Sequence, residues 1–361
     1  MISVSRIFSV ICPLAVVLTV SGCMTWDYDY SEEMDSSASP GGLFIMCEGN
    51  FQYGNASLSY YNPSDGECER EVFYRANGMK LGDVAQSMTM AEGLGWIVVN
   101  NSHVVFAIDP VTFRERGRIE GLTSPRYIHF LASDKAYVSQ LWDNRITIVD
   151  PSTFSITGSI TVPDMDTTTG STEQMVQIGD YVYCNCWSYN SRIIRIDTAT
   201  DRVDSQLNVG LQPQSIAVDR LKRLWVLTDG GYDPATGNSG VERPQLLRID
   251  PQRMTIETRW ELPAETARCL TATPDGSRLY WIAGDDVWSM ETTSTALPVK
   301  PFLQGHGTRY YSLTVSAVTG DVYVADAIDY QQPGMIYRYS SGGRLMDSFY
   351  AGVTPGAFCW K

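Results

Sequence analysis

Residues 146–160 read ITIVDPSTFSITGSI, and this stretch decides the fold. Ile146 and Ile148 alternate along one face of a strand, and Asp150-Pro151 then takes the first two positions of a type I turn. Asp suits the first position because it bonds the backbone that follows it, and Pro presets φ at the second. A second strand follows from Phe154 to Ile160. The stretch therefore predicts a β-hairpin.

Close variants of this hairpin recur along the chain. Their turn residues lie 41 to 53 positions apart, which is the period of a unit of about four short strands. Such a unit cannot bury both of its faces alone, so several units must stack radially around an axis. The sequence therefore predicts an all-β fold, a seven-bladed β-propeller. The seven turn positions are Asn62, Asp109, Asp150, Asp197, Asp250, Glu291 and Ser340.

The two ends of the chain are predicted to share one blade. Each full repeat reads as four strands, A to D from the innermost outward. LFIMCE at 43–48 reads as a B strand with no A strand before it, whereas GAFCW at 356–360 reads as an A strand with nothing after it. We therefore expect the C-terminal strand to close blade 1, which would make the ring cooperative.

The N-terminus has the features of a lipoprotein signal. Arg6 supplies a positive charge, Ile7–Val20 is an apolar run too short for a membrane span, and VSGC ends in Cys23 as a bacterial lipobox does. The expected organisation is a signal peptide at 1–22, a lipidated flexible acidic tether at 23–42 and a propeller at 43–361. The acidic run resembles export signals of surface lipoproteins in some Gram-negative bacteria, which predicts an outer-membrane, cell-surface location. The alternatives are a plain secretory signal and a merely solvated leash.

Composition limits the partners. The formal net charge of −14 argues against nucleic acid and against an anionic membrane surface, so we expect membrane contact only through the lipid anchor. A disulfide between Cys47 and Cys359 is one option, because both belong to blade 1. Cys184 and Cys186 share a strand face at a spacing too long for an unstrained bridge. Mostly buried thiols are expected.

Catalytic patterns are lacking in the sequence. The three histidines fall on different blades, and no metal-ligand spacing, nucleophile motif or HExxH sequence occurs. We therefore expect neither an enzyme, nor a catalytic cofactor, nor a catalytic metal. Calcium in the long loop with Asp229, Asp233, Asn238 and Glu242 is an alternative to simple solvation of that loop.

One face of the propeller is predicted to bind a ligand. The B–C and D–A loops share this face, opposite the Asp-Pro turns, and they are rich in exposed aromatic residues, which are unusual on a monomer. Packing of these rings between loops is the alternative for any single residue. The aromatic residues are Phe51, Tyr53, Trp142, Trp187, Tyr189, Tyr232 and Tyr330 in B–C loops, and Tyr310 and Tyr311 in a D–A loop.

A ring of mostly polar residues is predicted at the centre of the same face. Aligning the starts of the A strands gives one equivalent position in each blade. Amide, guanidinium and phenol groups there, surrounded by aromatic rings, suit a broad, flat, neutral ligand with many polar groups at its edge. The seven positions are Gln86, Arg126, Glu173, Gln214, Arg268, Tyr311 and Gly356.

The lipobox, the acidic tether, LFIMCEGNF at 43–51, the Ile-Asp-Pro turns and PGAFCW at 355–360 together resemble the surface-exposed vitamin B12-capturing propeller lipoproteins, the BtuG-like family, also called YncE-like or surface layer proteins. The resemblance implies tight binding of cobalamin or cobinamide and transfer to a TonB-dependent outer-membrane transporter. A corrinoid's edge amides would suit Gln86, Gln214, Asn144, Asn190, Arg126 and Arg268, and its apolar rim would suit Trp142, Trp187, Tyr189 and Tyr232. Glu173, Tyr311 and Tyr330 complete the expected ligand-binding set.

Two other functions remain open. A propeller lyase would need an acid or base at the mouth, for which His306 and Glu173 are the candidates. A scaffold that docks a nutrient-uptake complex without a small ligand would need surface patches rather than the polar ring.

Overall fold

The computed structural model describes residues 41–232, 240–305 and 307–361. The signal peptide at 1–22, the lipidation site Cys23, the tether up to residue 40, and also Asp233, Asn238 and His306 lie outside the described residues. Within them the chain forms seven antiparallel sheets, which confirms the seven-bladed propeller.

The first four blades are built from consecutive strands. Their bounds are β1 (Leu43–Cys47), β2 (Ser57–Asn62) and β3 (Glu67–Glu69) in blade 1; β4 (Ala85–Ala91), β5 (Leu94–Val99), β6 (Val104–Ile108) and β7 (Glu115–Ile119) in blade 2; β8 (Pro125–Ala132), β9 (Lys135–Gln140), β10 (Arg145–Asp150) and β11 (Ser155–Thr161) in blade 3; and β12 (Met175–Ile178), β13 (Tyr181–Cys186), β14 (Arg192–Asp197) and β15 (Arg202–Asn208) in blade 4.

The remaining strands complete the ring. They are β16 (Pro213–Val218), β17 (Leu224–Thr228), β18 (Gln245–Asp250) and β19 (Thr255–Glu261) in blade 5; β20 (Ala267–Ala272), β21 (Arg278–Ala283) and β22 (Asp286–Glu291) in blade 6; β23 (Tyr310–Val315), β24 (Val322–Asp326), β25 (Pro333–Tyr339) and β26 (Leu345–Val353) in blade 7; and β27 (Pro355–Trp360), which returns to blade 1. A short helix, α1 (Val72–Asn77), follows β3, and a 3₁₀ turn at Asn100–Ser102 precedes β6.

Burial increases from the outer strand of a blade to its middle strands. Along β15 and β19 exposed and half-buried residues alternate, because one face of an outer strand meets solvent. The second strand β5 is buried along nearly its whole length, and β17 is buried throughout, because neighbouring blades cover both faces. The core therefore lies between blades, where apolar residues of adjacent sheets meet.

The C-terminal strand closes blade 1 as predicted. β27 pairs antiparallel with β1, with Leu43 opposite Trp360 and Phe44 opposite Cys359. The Lys361 N–H donates to the Gly42 carbonyl oxygen over 2.9 Å. The innermost strands β4, β8, β12, β16, β20, β23 and β27 contact one another in that order around the closed ring.

Blade 6 differs from the predicted four-strand repeat. Its sheet has three strands among the described residues, and the segment after β22 pairs with it through an isolated bridge between Val287 and Leu303 instead of a fourth strand. Pro298 and Pro301 in that segment have no N–H to donate to a strand ladder. The repeat in blade 6 therefore ends without a fourth strand.

The Asp-Pro turns form as the sequence predicts. The Asp250 carboxylate accepts the N–H groups of Gln252 and Arg253 over 2.9 and 3.0 Å, and Asp109 and Asp197 do the same in their own turns. The backbone hydrogen bond from Arg253 is the largest of the effects that lower the pKa of Asp250. These turns fix the register of the outer hairpins.

The six cysteines that the structure describes are all free thiols, so the option of a Cys47–Cys359 disulfide is wrong. The reason is register, since Cys359 lies opposite Phe44 and Cys47 lies opposite Pro355. Burial raises the pKa of Cys47 to about 11. Cys47, Cys184 and Cys186 are buried, whereas Cys68, Cys269 and Cys359 are half-buried, so the expectation of mostly buried thiols holds for three of the six. In the described part of the chain, no helix is long and apolar enough to cross a membrane.

Candidate functional site at the central mouth

Several of the predicted ring positions are bulge residues at the start of the inner strands. In β4, Ala85 pairs with Val99 and Ser87 pairs with Val98, so Gln86 is the extra residue of a β-bulge. Gln214 and Tyr311 are the extra residues of the same bulge in β16 and β23. A bulge redirects a side chain out of the regular alternation, and bulges are common beside binding sites. The aligned row of the sequence is therefore a structural row at the central opening, here called the mouth.

Arg126 and Glu173 of this row bind each other. The Arg126 Nε donates to the Glu173 carboxylate over 2.8 and 3.0 Å, and the Ser171 hydroxyl donates to the same carboxylate over 2.9 Å. Glu173 is 3% exposed. Its carboxylate is thus occupied by the protein, and its role in the mouth is to position the Arg126 guanidinium.

Tyr311 and Arg268 meet a carboxylate from another strand. The Tyr311 hydroxyl donates to Glu48 over 3.1 Å, and the Arg268 guanidinium lies over the Tyr311 ring, 5.1 Å from its centroid. Burial raises the pKa of Glu48, and the charges of Arg126 and Arg268 and the hydrogen bond from Tyr311 act in the opposite direction. The positive charges of Arg126 and Arg268 therefore both act on the Glu48 carboxylate.

The Glu48 carboxylate occupies the space beside the seventh ring position, Gly356, which has no side chain. Gly356 is the extra residue of the bulge in β27, and a Cβ atom there would lie 2.1 Å from the Glu48 Oε1. The carboxylate occupies this space because glycine leaves it open. Glu48 is visible in the sequence as an acidic residue directly after the buried strand β1. An alignment of the inner strands cannot find it, because Glu48 follows a second strand.

Trp187 is held by a carboxylate at the rim of the mouth. Its indole N–H donates to Asp229 over 2.7 Å, and the ring lies 6.0 Å from the Arg126 guanidinium. The Gly231 N–H donates to the other oxygen of Asp229 over 2.8 Å. Burial raises the pKa of Asp229, although the hydrogen bond from Trp187 and the charge of Arg268 lower it. Asp229 therefore belongs to the site, whereas the sequence suggests it only as a calcium ligand or as a solvated residue of the long loop.

Three predicted aromatic residues form a continuous row on blades 3 to 5. The ring centroids of Trp142 and Tyr189 lie 6.5 Å apart, and those of Tyr189 and Tyr232 lie 5.3 Å apart. Trp142 is 43% exposed and Tyr189 is 45% exposed. Both have left-handed backbone, with φ of 60° and 53°, a conformation that costs bulky residues free energy. The fold therefore keeps Trp142 and Tyr189 exposed at a local cost in backbone free energy.

A second aromatic group lies on blade 7. The Tyr330 ring packs edge-on against Tyr311, with centroids 5.6 Å apart, and the Arg309 guanidinium lies 5.9 Å from the Tyr330 ring. The Asn50 side chain donates to the Tyr330 carbonyl oxygen. Tyr310 and Tyr311 belong to β23 and not to a D–A loop as predicted, because the strand begins at its bulge.

Some predicted residues have other tasks. The Gln214 side-chain oxygen accepts the Cys269 N–H over 2.8 Å and so ties blade 5 to blade 6. The Asn190 side-chain oxygen accepts the Ser191 N–H over 2.9 Å. Asn144 lies before β10, where its carbonyl oxygen accepts the Val162 N–H, and no side-chain contact joins it to the ring in the described residues. Gln86 hydrogen bonds with Tyr127 at the mouth.

The proposed calcium ligands that the structure describes have protein partners. Asp229 accepts from Trp187, and Glu242 accepts the Leu211 N–H over 2.6 Å. Across residues 41–232, 240–305 and 307–361, no group of three His, Cys, Asp or Glu side chains has a geometry that could hold a metal ion.

Comparison with known proteins identifies the family and the fold. The family described as "Domain of unknown function (DUF5074)" matches residues 41–347. No functionally curated protein shows significant sequence similarity to the chain. A quinonprotein alcohol dehydrogenase-like protein from Bacteroides thetaiotaomicron VPI-5482 superimposes with a TM-score of 0.66 at 12% identity, over 89% of this chain and 78% of that one. Hydrazine synthase of Kuenenia stuttgartiensis gives a TM-score of 0.56 at 15% identity, over 71% and 76%. At these identities the two structures share the fold alone.

Proposed function

The chain belongs to the family of the domain of unknown function DUF5074, and we propose that its mouth captures a corrinoid. The family assigns no ligand, so the proposal depends on the geometry of the mouth. The observation that carries the proposal is the aromatic row of the exposed Trp142 and Tyr189 and the half-buried Tyr232, next to a ring of charged and amide groups. A corrinoid is a rigid disc with an apolar face and rim and with amide groups around its edge. The mouth offers both kinds of contact on one surface.

Arg268 is the main free donor of the site. Within the described residues its guanidinium forms no hydrogen bond and no ion pair, and its contacts are the Tyr311 ring and the charges of Glu48 and Asp229. A guanidinium with open N–H groups suits amide carbonyl oxygens or a phosphate. Arg126, in contrast, is held by Glu173. Arg268 would therefore bind the edge of the ligand.

The aromatic rings are arranged before the ligand arrives. Tyr189 contacts both Trp142 and Tyr232, and Trp187 is fixed by its hydrogen bond to Asp229. Rings that are already ordered lose little conformational entropy when a rigid ligand binds. This arrangement supports tight binding by a flat ligand without a conformational change in the protein.

We place this capture at the cell surface. The lipobox ending in Cys23 and the acidic run after it support a lipid-anchored protein on the outer membrane that passes its ligand to a TonB-dependent transporter. The site needs no catalytic residue for that role. A His306→Ala variant would therefore bind the ligand as the wild type does.

Calorimetric titration with cyanocobalamin and cobinamide tests the proposal. We expect one-to-one binding that is weakened at least tenfold in Tyr189→Ala and in Arg268→Ala, because aromatic and guanidinium anchors carry most of the energy of such contacts. Tyr350→Ala on the outer strand β26 is the matched control, since Tyr350 is 54% exposed and lies outside the mouth. Absence of heat and of a thermal shift with both corrinoids would refute corrinoid capture.

A scaffold function is the second candidate, supported by the loop after Glu48. Phe51 is 63% exposed and Tyr53 is 77% exposed, more than any aromatic residue of the row. If no corrinoid binds and the double variant Phe51→Ala/Tyr53→Ala alone abolishes uptake-complex assembly in cells, the scaffold function replaces capture.

A further inference from the structure

Two groups of three side chains, here called the triads, repeat around the mouth. In each triad a guanidinium faces an aromatic ring, and the N–H or O–H of that aromatic side chain donates to a carboxylate. The three members come from three consecutive blades, and the second triad lies three blades after the first. The triads are Arg126, Trp187 and Asp229 on blades 3 to 5, and Arg268, Tyr311 and Glu48 on blades 6, 7 and 1.

The charged members of the two triads occupy equivalent places in the repeat. Arg126 is the second residue of β8, and Arg268 is the second residue of β20, both of them inner strands. Asp229 directly follows β17, and Glu48 directly follows β1, both of them the second strands of their blades. Because a propeller repeats one unit around an axis, equivalent positions face the mouth at the same level. The two triads therefore present the same charged groups to a ligand from two different sides.

The arginines of both triads have N–H groups without an acceptor. The hydrogen bonds from Arg126 to Glu173 all come from its Nε atom, so its two η nitrogens bond no described residue. Arg268 forms no hydrogen bond with a described residue, and it is half-buried against the Tyr311 ring. None of these nitrogens is a buried unpaired atom, so they are accessible to solvent. A ligand in the mouth can therefore accept hydrogen bonds from both guanidinium groups.

Each triad places an acceptor beside these donors. The Asp229 carboxylate accepts three hydrogen bonds from the protein, and among the described residues the Glu48 side chain accepts only that of the Tyr311 hydroxyl. A carboxylate has about four lone-pair sites, so each can accept one more hydrogen bond. Both residues are half-buried. Burial raises the pKa of both carboxyl groups and the charge of Arg268 lowers both, so this guanidinium acts on each carboxylate.

From these observations we propose that each triad binds one primary carboxamide of the ligand, so that the mouth recognises two carboxamides at different points of the ligand's edge. A carboxamide carries an oxygen acceptor and an N–H donor on neighbouring atoms. Its oxygen accepts from the guanidinium, and its N–H donates to the carboxylate. A carboxylate on the ligand lacks the donor and an ammonium group lacks the acceptor, so either would meet a like charge in each triad. The inference rests on the proposed function, since the edge amides of a corrinoid are groups of this kind.

Calorimetric titration of the full chain with three derivatives of one corrinoid tests the inference. They are the heptaamide, the heptamethyl ester and the free heptacarboxylic acid of cobyrinic acid. The ester keeps every carbonyl oxygen and lacks every N–H donor. We expect the wild type to bind the heptaamide at least about tenfold more tightly than the ester, because a site built for a donor keeps an unpaired acceptor when the donor is missing. The acid should also bind more weakly than the heptaamide, because its charges face Glu48 and Asp229.

The double variant Glu48→Gln/Asp229→Asn removes both charged acceptors and keeps the size of the side chains. We expect the preference for the heptaamide over the ester to fall to about threefold or less, because neutral acceptors bond the N–H groups of the ligand more weakly. Glu92→Gln/Asp134→Asn is the matched control, with the same change in net charge at exposed carboxylates in the turns after β4 and β8. This control should prefer the heptaamide as strongly as the wild type does.

Equal affinity of the wild type for heptaamide and ester would refute carboxamide recognition and leave corrinoid capture standing. An equal loss of affinity for both ligands in the double variant would overturn the inference as well, because the carboxylates would then only hold the mouth in shape. Tighter binding of the acid than of the heptaamide would overturn it by making the triads an anion site. Absence of binding by all three derivatives and by cyanocobalamin would refute the proposed function itself, and the inference with it.

Discussion

At the scale of single residues, Glu48 shows how an absent side chain shapes the mouth. Its carboxylate lies where the Cβ atom of any other residue at position 356 would be, and it accepts the Tyr311 hydroxyl. Burial raises its pKa above 4.5, the usual value for a glutamate. The folded protein therefore binds this proton more tightly than the unfolded chain does, and stability falls as pH rises from about 4.5 through the folded-state pKa.

Glu48→Gln should remove this loss of stability. We expect its melting temperature to exceed that of the wild type by about 1–3 °C at pH 7, and the difference to disappear below pH 4.5, where the wild-type carboxyl is protonated in both states. Calorimetric melts between pH 4 and pH 8 measure it. Glu265→Gln, a change at an exposed carboxylate, is the control. A lower melting temperature at pH 7 would show that attraction to Arg126 and Arg268 outweighs the cost of burial.

At the scale of strands, polar side chains join neighbouring blades. The Ser87 hydroxyl donates to the Arg126 carbonyl oxygen over 2.7 Å between blades 2 and 3, and the Ser312 hydroxyl donates to that of Pro355 over 2.8 Å between blades 7 and 1. The Asn185 amide donates to the Pro213 carbonyl oxygen over 2.6 Å between blades 4 and 5. These bonds lie just below the mouth, so they set the spacing of its residues.

Asn185→Ala should separate blades 4 and 5 and destabilise the protein. It leaves the buried Pro213 carbonyl oxygen without a donor, which costs about 1–3 kcal/mol, and chemical denaturation at constant pH measures this change in unfolding free energy. Asn208→Ala is the matched control, since the Asn208 amide donates to the Ser191 hydroxyl in an exposed pair. A loss as small as that of the control would mean that water replaces the bond between the blades.

The sequence predicts the strands and the bulge row of the mouth, but it does not predict the contacts between blades. The spacing of the turns predicts seven blades because each hairpin needs its own Asp or a substitute for it. The row of Gln86, Gln214 and Tyr311 can be aligned because each of these three residues stands in a bulge at the start of an inner strand. An alignment of repeats compares equivalent positions of the blades and therefore gives no information on which residues of two blades contact each other. The ion pair of Arg126 with Glu173 joins two repeats, whereas the sequence predicts each residue as a separate ligand contact.

The sequence also could not predict the missing strand of blade 6. Val287 begins a weaker copy of the repeat, and the residues after Glu291 show neither alternation nor a second turn. A period alone counts blades, but it does not show whether each blade is complete.

At the scale of the whole molecule, stability depends on closure of the ring by β27. Deletion of residues 355–361 removes the inner strand of blade 1, exposes β1, and takes away the Trp360 ring that packs against Tyr323 of blade 7. We expect loss of cooperative unfolding, measured by calorimetry and by limited proteolysis. Deletion of Lys361 alone removes only the bond to Gly42 and is the control. A sharp wild-type transition in the longer deletion would contradict closure by β27.

The position of β27 also determines when the propeller comes into existence. A ribosome makes residues 355–360 after the strands of the other six blades, so blade 1 has its outer strands long before its inner one. During that interval the ring cannot close, because the inner edge of β1 has no partner. Synthesis of the last strand then pairs this edge and closes the ring.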